Sequence, residues 1–270
     1  MMEAPLISVE DLTVDYGGER PAVDNVNFTL GKSEIVALVG ESGSGKSTIS
    51  LAVMSLLPEF VKVDGTIRFN ARDLAHCGRH EMEDIRGSGI GMIFQEPMTC
   101  LNPVLPISRQ MTEGLMRHRN MPKKQAHLLA LQALRDVGMA EPERVMRSFP
   151  HELSGGMRQR IMIAAALTLD PAVLIADEPT TALDVTVQAQ VLELLVDIRN
   201  RTGAGMLLIT HDIGVVAEIA DRVVVMRHGK VVEQGPVDQV IYTPREAYTQ
   251  QLIGSHVSLE KSLHPKGADS

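Results

Sequence analysis

The chain has 270 residues, 44% of them apolar, which is enough for one large domain or two modest ones with a sizeable core. Its formal net charge of -8 argues against bulk electrostatic binding of nucleic acid. With no Trp and only three Tyr and five Phe, it offers neither an aromatic belt nor a base-stacking platform. The two cysteines, Cys77 and Cys100, read as reduced thiols rather than a disulfide or a metal pair. Met1 to Leu12 carries acidic residues and lacks a basic start followed by an apolar run, so it does not read as a signal peptide. The longest nearly unbroken apolar stretch, Ile161 to Leu169, falls far short of the ~20 residues that span a bilayer. The membrane part of any membrane process would have to come from other chains.

In chain order, Leu6, Ile7, Val9, Leu12, Val14 and Tyr16 alternate as in a strand, which breaks at Gly17-Gly18. Val26 to Leu30 reads as a second strand, and Glu34 to Val39 as a short buried strand of a parallel sheet. A glycine-rich turn leads into a helix expected from Lys46 to Leu57, ending before Pro58. Val63 to Phe69 reads as an edge strand with Gly65 near its start. From Pro97 to about Ser148, prolines punctuate a Met- and Leu-rich region with helical spacing (Leu128, Leu131, Leu134, Val137), read as a helical insertion. The α/β pattern then resumes. A helix runs from Gly155 to about Leu169, followed by a buried strand (Val173 to Ala176), a helix (Val185 to Asn200), a strand (Met206 to Thr210) and a helix (Ile213 to Ala220). A hairpin of Arg222 to Met226 and Lys230 to Glu233 turns at His228-Gly229, and the last ~10 residues read as frayed. Strands alternating with helices predict a mostly parallel, covered sheet.

The segment Gly40-Glu41-Ser42-Gly43-Ser44-Gly45-Lys46-Ser47-Thr48 fits the phosphate-loop pattern G-x-x-x-x-G-K-[ST], placed between a strand and a helix. Gly43 and Gly45 would let backbone N–H groups turn inward around phosphates. Lys46 would add charge at the β/γ-phosphates, Ser47 a hydroxyl for Mg²⁺, and the helix start further positive potential. Ala172 to Pro179 is a second signal: a buried strand that delivers Asp177 and Glu178 at its C-terminal end, the ligand edge of an open α/β sheet. Asp177 would hold a hydrated Mg²⁺ and Glu178 would polarise an attacking water. These two features leave kinases, GTPases and many ATPases open.

Leu153-Ser154-Gly155-Gly156-Met157 narrows the field. Ser154 reads as an N-cap, and Gly155 and Gly156 leave the first turn bare, so this helix start can approach a phosphate. One complete cradle already lies at residues 40–48, so a second anion-binding helix start points toward another subunit's nucleotide. A kinase or GTPase that binds its nucleotide within one monomer has no use for this motif.

On these motifs the sequence resembles the ATP-binding subunits of ABC transporters, over roughly residues 5–255, with LSGGM as its signature. The resemblance implies an α/β fold: a P-loop, RecA-like ABC ATPase core with an N-terminal antiparallel β subdomain and an inserted α-helical subdomain at about 97–157. The whole would form a nucleotide-binding domain over 1–255, followed by a short tail, 256–270. It also implies that Tyr16 stacks on adenine and that Gln95 contacts Mg²⁺ and the γ-phosphate side. Asp184, in Ala182-Leu183-Asp184, would cross a dimer interface, and His211 would hold the γ-phosphate and the attacking water. No catalytic position is degenerate, so the resemblance implies an ATPase using ATP and Mg²⁺, with Lys46, Glu178 and His211 as its catalytic groups. Its implied partners are a second ATP-binding subunit in a head-to-tail dimer, two transmembrane permease subunits and, indirectly, an external solute-binding protein, with no nucleic acid. Its implied place is the cytoplasmic face of the inner membrane. Soluble ABC ATPases of DNA repair or translation add coiled coils, zinc cysteines or a second cassette, features this sequence lacks.

Ser148-Phe-Pro-His-Glu-Leu-Ser154 and Ile175-Ala-Asp-Glu-Pro-Thr-Thr-Ala-Leu-Asp-Val-Thr-Val-Gln-Ala-Gln190 resemble the peptide/nickel importer branch, as do Met92-Ile-Phe-Gln-Glu-Pro-Met98 with Leu101-Asn-Pro103 and Thr243-Pro-Arg-Glu-Ala-Tyr-Thr249. Peptide subunits of that branch commonly carry a C-terminal cysteine-rich extension for an iron–sulfur cluster, whereas here no cysteine follows Cys100. The branch resemblance implies a di- or oligopeptide cargo, and the missing cysteines leave nickel or another small solute as the alternative.

Overall fold

The apolar alternation of the first strand changes phase between Val9 and Leu12, and a β-bulge absorbs the change. In the computed structural model, which describes residues 4–95, 100–180 and 185–263, β1 (Ile7–Asp15) buries Ile7, Val9, Leu12 and Val14. The extra residue, Asp11, sits at φ 50°, where the register of both neighbouring strands slips. Opposite it, a Cβ on Gly65 (φ 94°) would lie 2.5 Å from the Asp11 carbonyl oxygen, so glycine is required there.

The described chain divides into two compact units, one of residues up to 30, 34–73 and 208 onward, the other of 31–33 and 74–207. The first contains an antiparallel sheet in the order β2-β1-β4-β5, formed by β2 (Val23–Leu30), β1, β4 (Lys62–Phe69) and the two-residue β5 (Arg72–Asp73). β4 is thus an edge only up to Ile67, because Arg68 and Phe69 pair with β5. The same unit holds β3 (Ile35–Val39), buried at every position and parallel to β9 (Arg222–Arg227), which pairs antiparallel with β10 (Lys230–Pro236). A strand covered on both faces has no polar side to alternate with, which is why β3 reads as continuous Ile-Val-Ala-Leu-Val. Helices α1 (Lys46–Val53), α8 (Ile213–Ile219), α9 (Val237–Tyr242) and α10 (Ala247–Leu263) complete it. α1 is four residues shorter than expected, because Ser55 takes a left-handed conformation (φ 50°) and the Leu56 N–H closes back on the Leu51 carbonyl at 2.8 Å.

The second unit contains α2 (Arg79–Ser88), broken at Arg86-Gly87, and the parallel pair β6 (Ile90–Ile93) and β7 (Val173–Asp177). Neither α2 nor β6 is anticipated by the sequence reading. Helices α3 (Ile107–His118), α4 (Lys123–Asp136), α5 (Pro142–Arg147), α6 (Gly155–Leu167) and α7 (Val185–Thr202) make up the rest. β8 (Gly205–Ile209) carries the chain back into the first unit. In α4 the buried stripe is Ala126, Ala130, Leu131 and Leu134, followed by Val137, whereas Leu128 is 59% exposed. The helical period is as expected, but two alanines rather than Leu128 face inward. The frayed end expected for the last residues lies partly outside the described range. No helix among the described residues is long and apolar enough to cross a membrane.

Candidate functional site

In the first unit β3 ends at Val39 and the chain turns through residues 40–45 into α1. Two glycines of this turn are fixed by their own surroundings. A Cβ on Gly40 would lie 2.2 Å from the Met226 carbonyl oxygen, and one on Gly45 (φ 102°) would lie 2.5 Å from that of Ala22. Gly43 (φ 78°) has open space where a side chain would stand, so at this position the backbone conformation alone calls for glycine. The Gly229 N–H donates to the Ser44 carbonyl at 3.1 Å, tying the β9–β10 hairpin to the loop.

Lys46 is 6% exposed, and its ammonium donates to the carbonyls of Gly40 at 2.7 Å and Glu41 at 2.9 Å. The Ser44 hydroxyl lies 3.4 Å from the same Nζ. A cation buried at the start of α1 and clamped on the loop's own carbonyls is a concentrated positive site, reinforced by the helix terminus. Ser47 is exposed and Thr48 half-buried on the first turn of α1. Tyr16 follows β1 and is 42% exposed, so its ring is not consumed by packing. His211 is exposed between the buried Thr210 and Asp212, whose carboxylate accepts the N–H groups of Gly214 (2.8 Å) and Val215 (3.2 Å) to cap α8.

In the second unit the parallel register pairs Ile93 with Ala176, so Gln95 and Glu178, each two residues on, emerge level with one another. The Gln95 Nε2 donates to Glu178 Oε2 at 3.0 Å. Asp177 is 5% exposed at the end of β7, and Glu178 sits at φ 47°, an uncommon conformation for a non-glycine residue. The buried Gln159 on α6 donates through Nε2 to the Pro179 carbonyl at 2.7 Å, holding the segment that follows the two acids. Sequence reasoning assigned Gln159 no role; its only signal is an amide on the face of α6 that also carries Ile163.

Ser154 accepts the Met157 N–H at 3.3 Å and caps α6. A side chain built on Gly155 would meet nothing within 4 Å, while one on Gly156 would come 3.3 Å from Val187. The signature turn is therefore open at Gly155 and tight at Gly156. Asp184 lies outside the described residues.

The ABC transporter family model matches residues 23–181, from β2 through the acidic end of β7. The chain belongs to the ABC transporter family. Among relatives of this family, it is 50% identical to the oligopeptide transport ATP-binding protein OppD of Bacillus subtilis, over 95% of this chain and 73% of that protein. It is 53% identical to AppD (87% and 72% covered) and 51% identical to the dipeptide transport ATP-binding protein DppD (93% and 76%), both of the same organism. Among solved ABC structures, CbiO1 of Clostridium perfringens, part of the cbiONQ transporter complex, superposes with a TM-score of 0.77 at 28% identity, covering 97% and 96% of the two chains. The cassette MJ0796, in a dimeric post-hydrolysis state bound to ADP and Pi, gives 0.76 at 28% identity, covering 86% and 98%. The fold is that of an ABC ATPase, and this ABC chain is an ATPase.

Proposed function

We propose that this ATPase is the motor subunit of an importer for di- or oligopeptides. One observation carries the cargo class: identities of 50–53% to three proteins named for oligopeptide or dipeptide transport, each matched over most of its length. They favour peptide over nickel. The subunit works as a head-to-tail dimer with a second ATP-binding chain, on the cytoplasmic face of the membrane. It serves two permease subunits that receive solute from an external binding protein.

The N–H groups of residues 43–48 and the Lys46 ammonium take the phosphates of ATP, with Gly40, Ser42 and Ser44 shaping the turn. Tyr16 presents its exposed ring to the adenine. Mg²⁺, a hard cation that prefers oxygen, would draw on the Ser47 hydroxyl of the first unit and, in the second, on the buried Asp177 carboxylate and the Gln95 amide oxygen, the Gln95 Nε2 being given to Glu178. Bound there, Mg²⁺ would neutralise charge on the phosphates. Glu178, held by Gln95, orients and polarises the attacking water, and His211 donates toward the transferred phosphate. Ser154, Gly155 and Gly156 offer the capped helix start to the partner's nucleotide.

The test is reconstitution in vesicles with two permease subunits and a binding protein. Peptide-loaded binding protein should raise ATP turnover several-fold, and Ni²⁺-loaded binding protein should not. Stimulation by nickel alone would refute the peptide assignment.

A further inference from the structure

The phosphate loop is braced from outside by a residue some 200 positions further along the chain. The Glu41 N–H donates to the Tyr248 phenol oxygen at 3.3 Å. Tyr248 is 7% exposed, and the Arg227 guanidinium stands 4.6 Å from its ring centroid. Arg227 ends β9, one residue after Met226, whose carbonyl crowds Gly40, and two before Gly229, which donates to Ser44. Tyr248 is itself held at the start of α10, where the Glu233 carboxylate accepts the N–H groups of Arg245 at 2.8 Å and Glu246 at 3.2 Å. Gln250 Nε2 donates to the Pro244 carbonyl at 3.0 Å, and Thr249 and Leu252 are buried beside it.

We infer that Tyr248 is a positioning residue for the phosphate loop, fixing its first turn through the Glu41 N–H and so tuning nucleotide affinity from the C-terminal segment. The physical reason lies in the loop's own economy of donors. Lys46 already draws the Gly40 and Glu41 carbonyls toward α1. The Glu41 N–H therefore needs an acceptor on the opposite side, and Tyr248 supplies one from a ring that stacking and burial prevent from swinging away. The loop is pinned at Glu41 by Tyr248 and at Ser44 by Gly229, with the phosphate-facing N–H groups between and after these points. A loop held in its binding shape loses less entropy when a ligand arrives. Tyr248 lies well beyond the residues 23–181 that define the family match, so this control belongs to the C-terminal segment of this chain. The inference rests on reading residues 40–48 as the phosphate site.

The experiment compares the full chain with Tyr248→Phe, Tyr248→Ala and Lys46→Ala. It measures ATP affinity with EDTA present, so that no turnover occurs, and amide hydrogen exchange at Glu41. Tyr248→Phe keeps the ring over Arg227 and removes only the acceptor. It should weaken ATP binding by about 3- to 10-fold, the equivalent of one net hydrogen bond, and speed exchange at Glu41, with the melting temperature within a few degrees of wild type. Wild-type affinity and exchange in Tyr248→Phe, with loss confined to Tyr248→Ala, would overturn the inference by showing that the ring acts through packing alone. Wild-type affinity in Lys46→Ala would instead overturn the reading of the loop itself.

Discussion

Gln95 and Glu178 are joined by a 3.0 Å hydrogen bond between side chains that leave the ends of two parallel strands at the same level. The glutamate's backbone is in the left-handed region, at φ 47°, so its carboxylate is held by a local conformation as well as by the amide. Such a conformation costs about 1–3 kcal/mol for a non-glycine residue. Replacing Glu178 with Gln keeps the shape and removes the carboxylate that we propose as the base. ATP binding should persist, and phosphate release should fall by about 10²–10⁴-fold. The unhydrolysed nucleotide should hold two chains together, visible as an ATP-dependent dimer in size-exclusion chromatography. Turnover within a factor of two of wild type would remove Glu178 from the chemistry.

A second prediction concerns the segment just past that acid. Gln159 is 2% exposed and gives its amide to the Pro179 carbonyl at 2.7 Å. Gln159→Leu preserves volume but leaves that carbonyl without this donor, which should cost about 1–3 kcal/mol in urea unfolding. Because the bond links α6 to the turn after Glu178, turnover should fall more than ATP affinity does. Equal stability of variant and wild type would mean that the carbonyl finds another donor.

Much of this site is legible in the sequence because its parts obey local rules. Lys46 follows a strand and a glycine turn, Ser154 stands one residue before a helix, and Asp177 ends an apolar run. What the sequence hides is set by distant backbone. Gly45 reads as a phosphate glycine, yet the atom that excludes a side chain there is the Ala22 carbonyl oxygen, 2.5 Å from its Cβ position. β6, four residues long with a glycine inside it, is too short to show a period, and α2 has a broken end at Arg86-Gly87. The inward face of α4 depends on which neighbour it meets, so Leu128 could not be placed by spacing alone. Tyr248 and Glu41 are joined only by the fold.

The two glycine motifs should respond oppositely to side chains. Gly45→Ala forces a Cβ against the Ala22 carbonyl at a backbone angle of φ 102°, so it should destabilise the chain by a few kcal/mol and abolish its ATP binding. Gly155→Arg projects into open space at the start of α6, so the melting temperature and the chain's own ATP affinity should hold. In mixed dimers of Gly155→Arg with wild type, the damaged site should be the one whose phosphate loop belongs to the wild-type partner. A defect confined to the variant's own loop would sink the shared-site model.

The last prediction is a pH dependence. Burial pushes the Tyr248 phenol above its ordinary value, and the nearby Glu41 charge adds to this, against the opposing Glu41 N–H and Arg227 guanidinium. The folded chain thus keeps a proton that the unfolded chain releases near pH 10, the usual phenol value. The Tyr248 contribution to stability is complete below that pH and is lost as pH rises from about 10 through the folded-state value. Urea midpoints measured from pH 9 upward should fall more steeply for wild type than for Tyr248→Phe, which has no proton to lose. The same variant should lack one tyrosine's share of the phenolate absorbance. Parallel midpoint curves for the two proteins would show that Tyr248 ionises as freely in the folded chain as in the unfolded one, and with it that the phenol is not buried in solution.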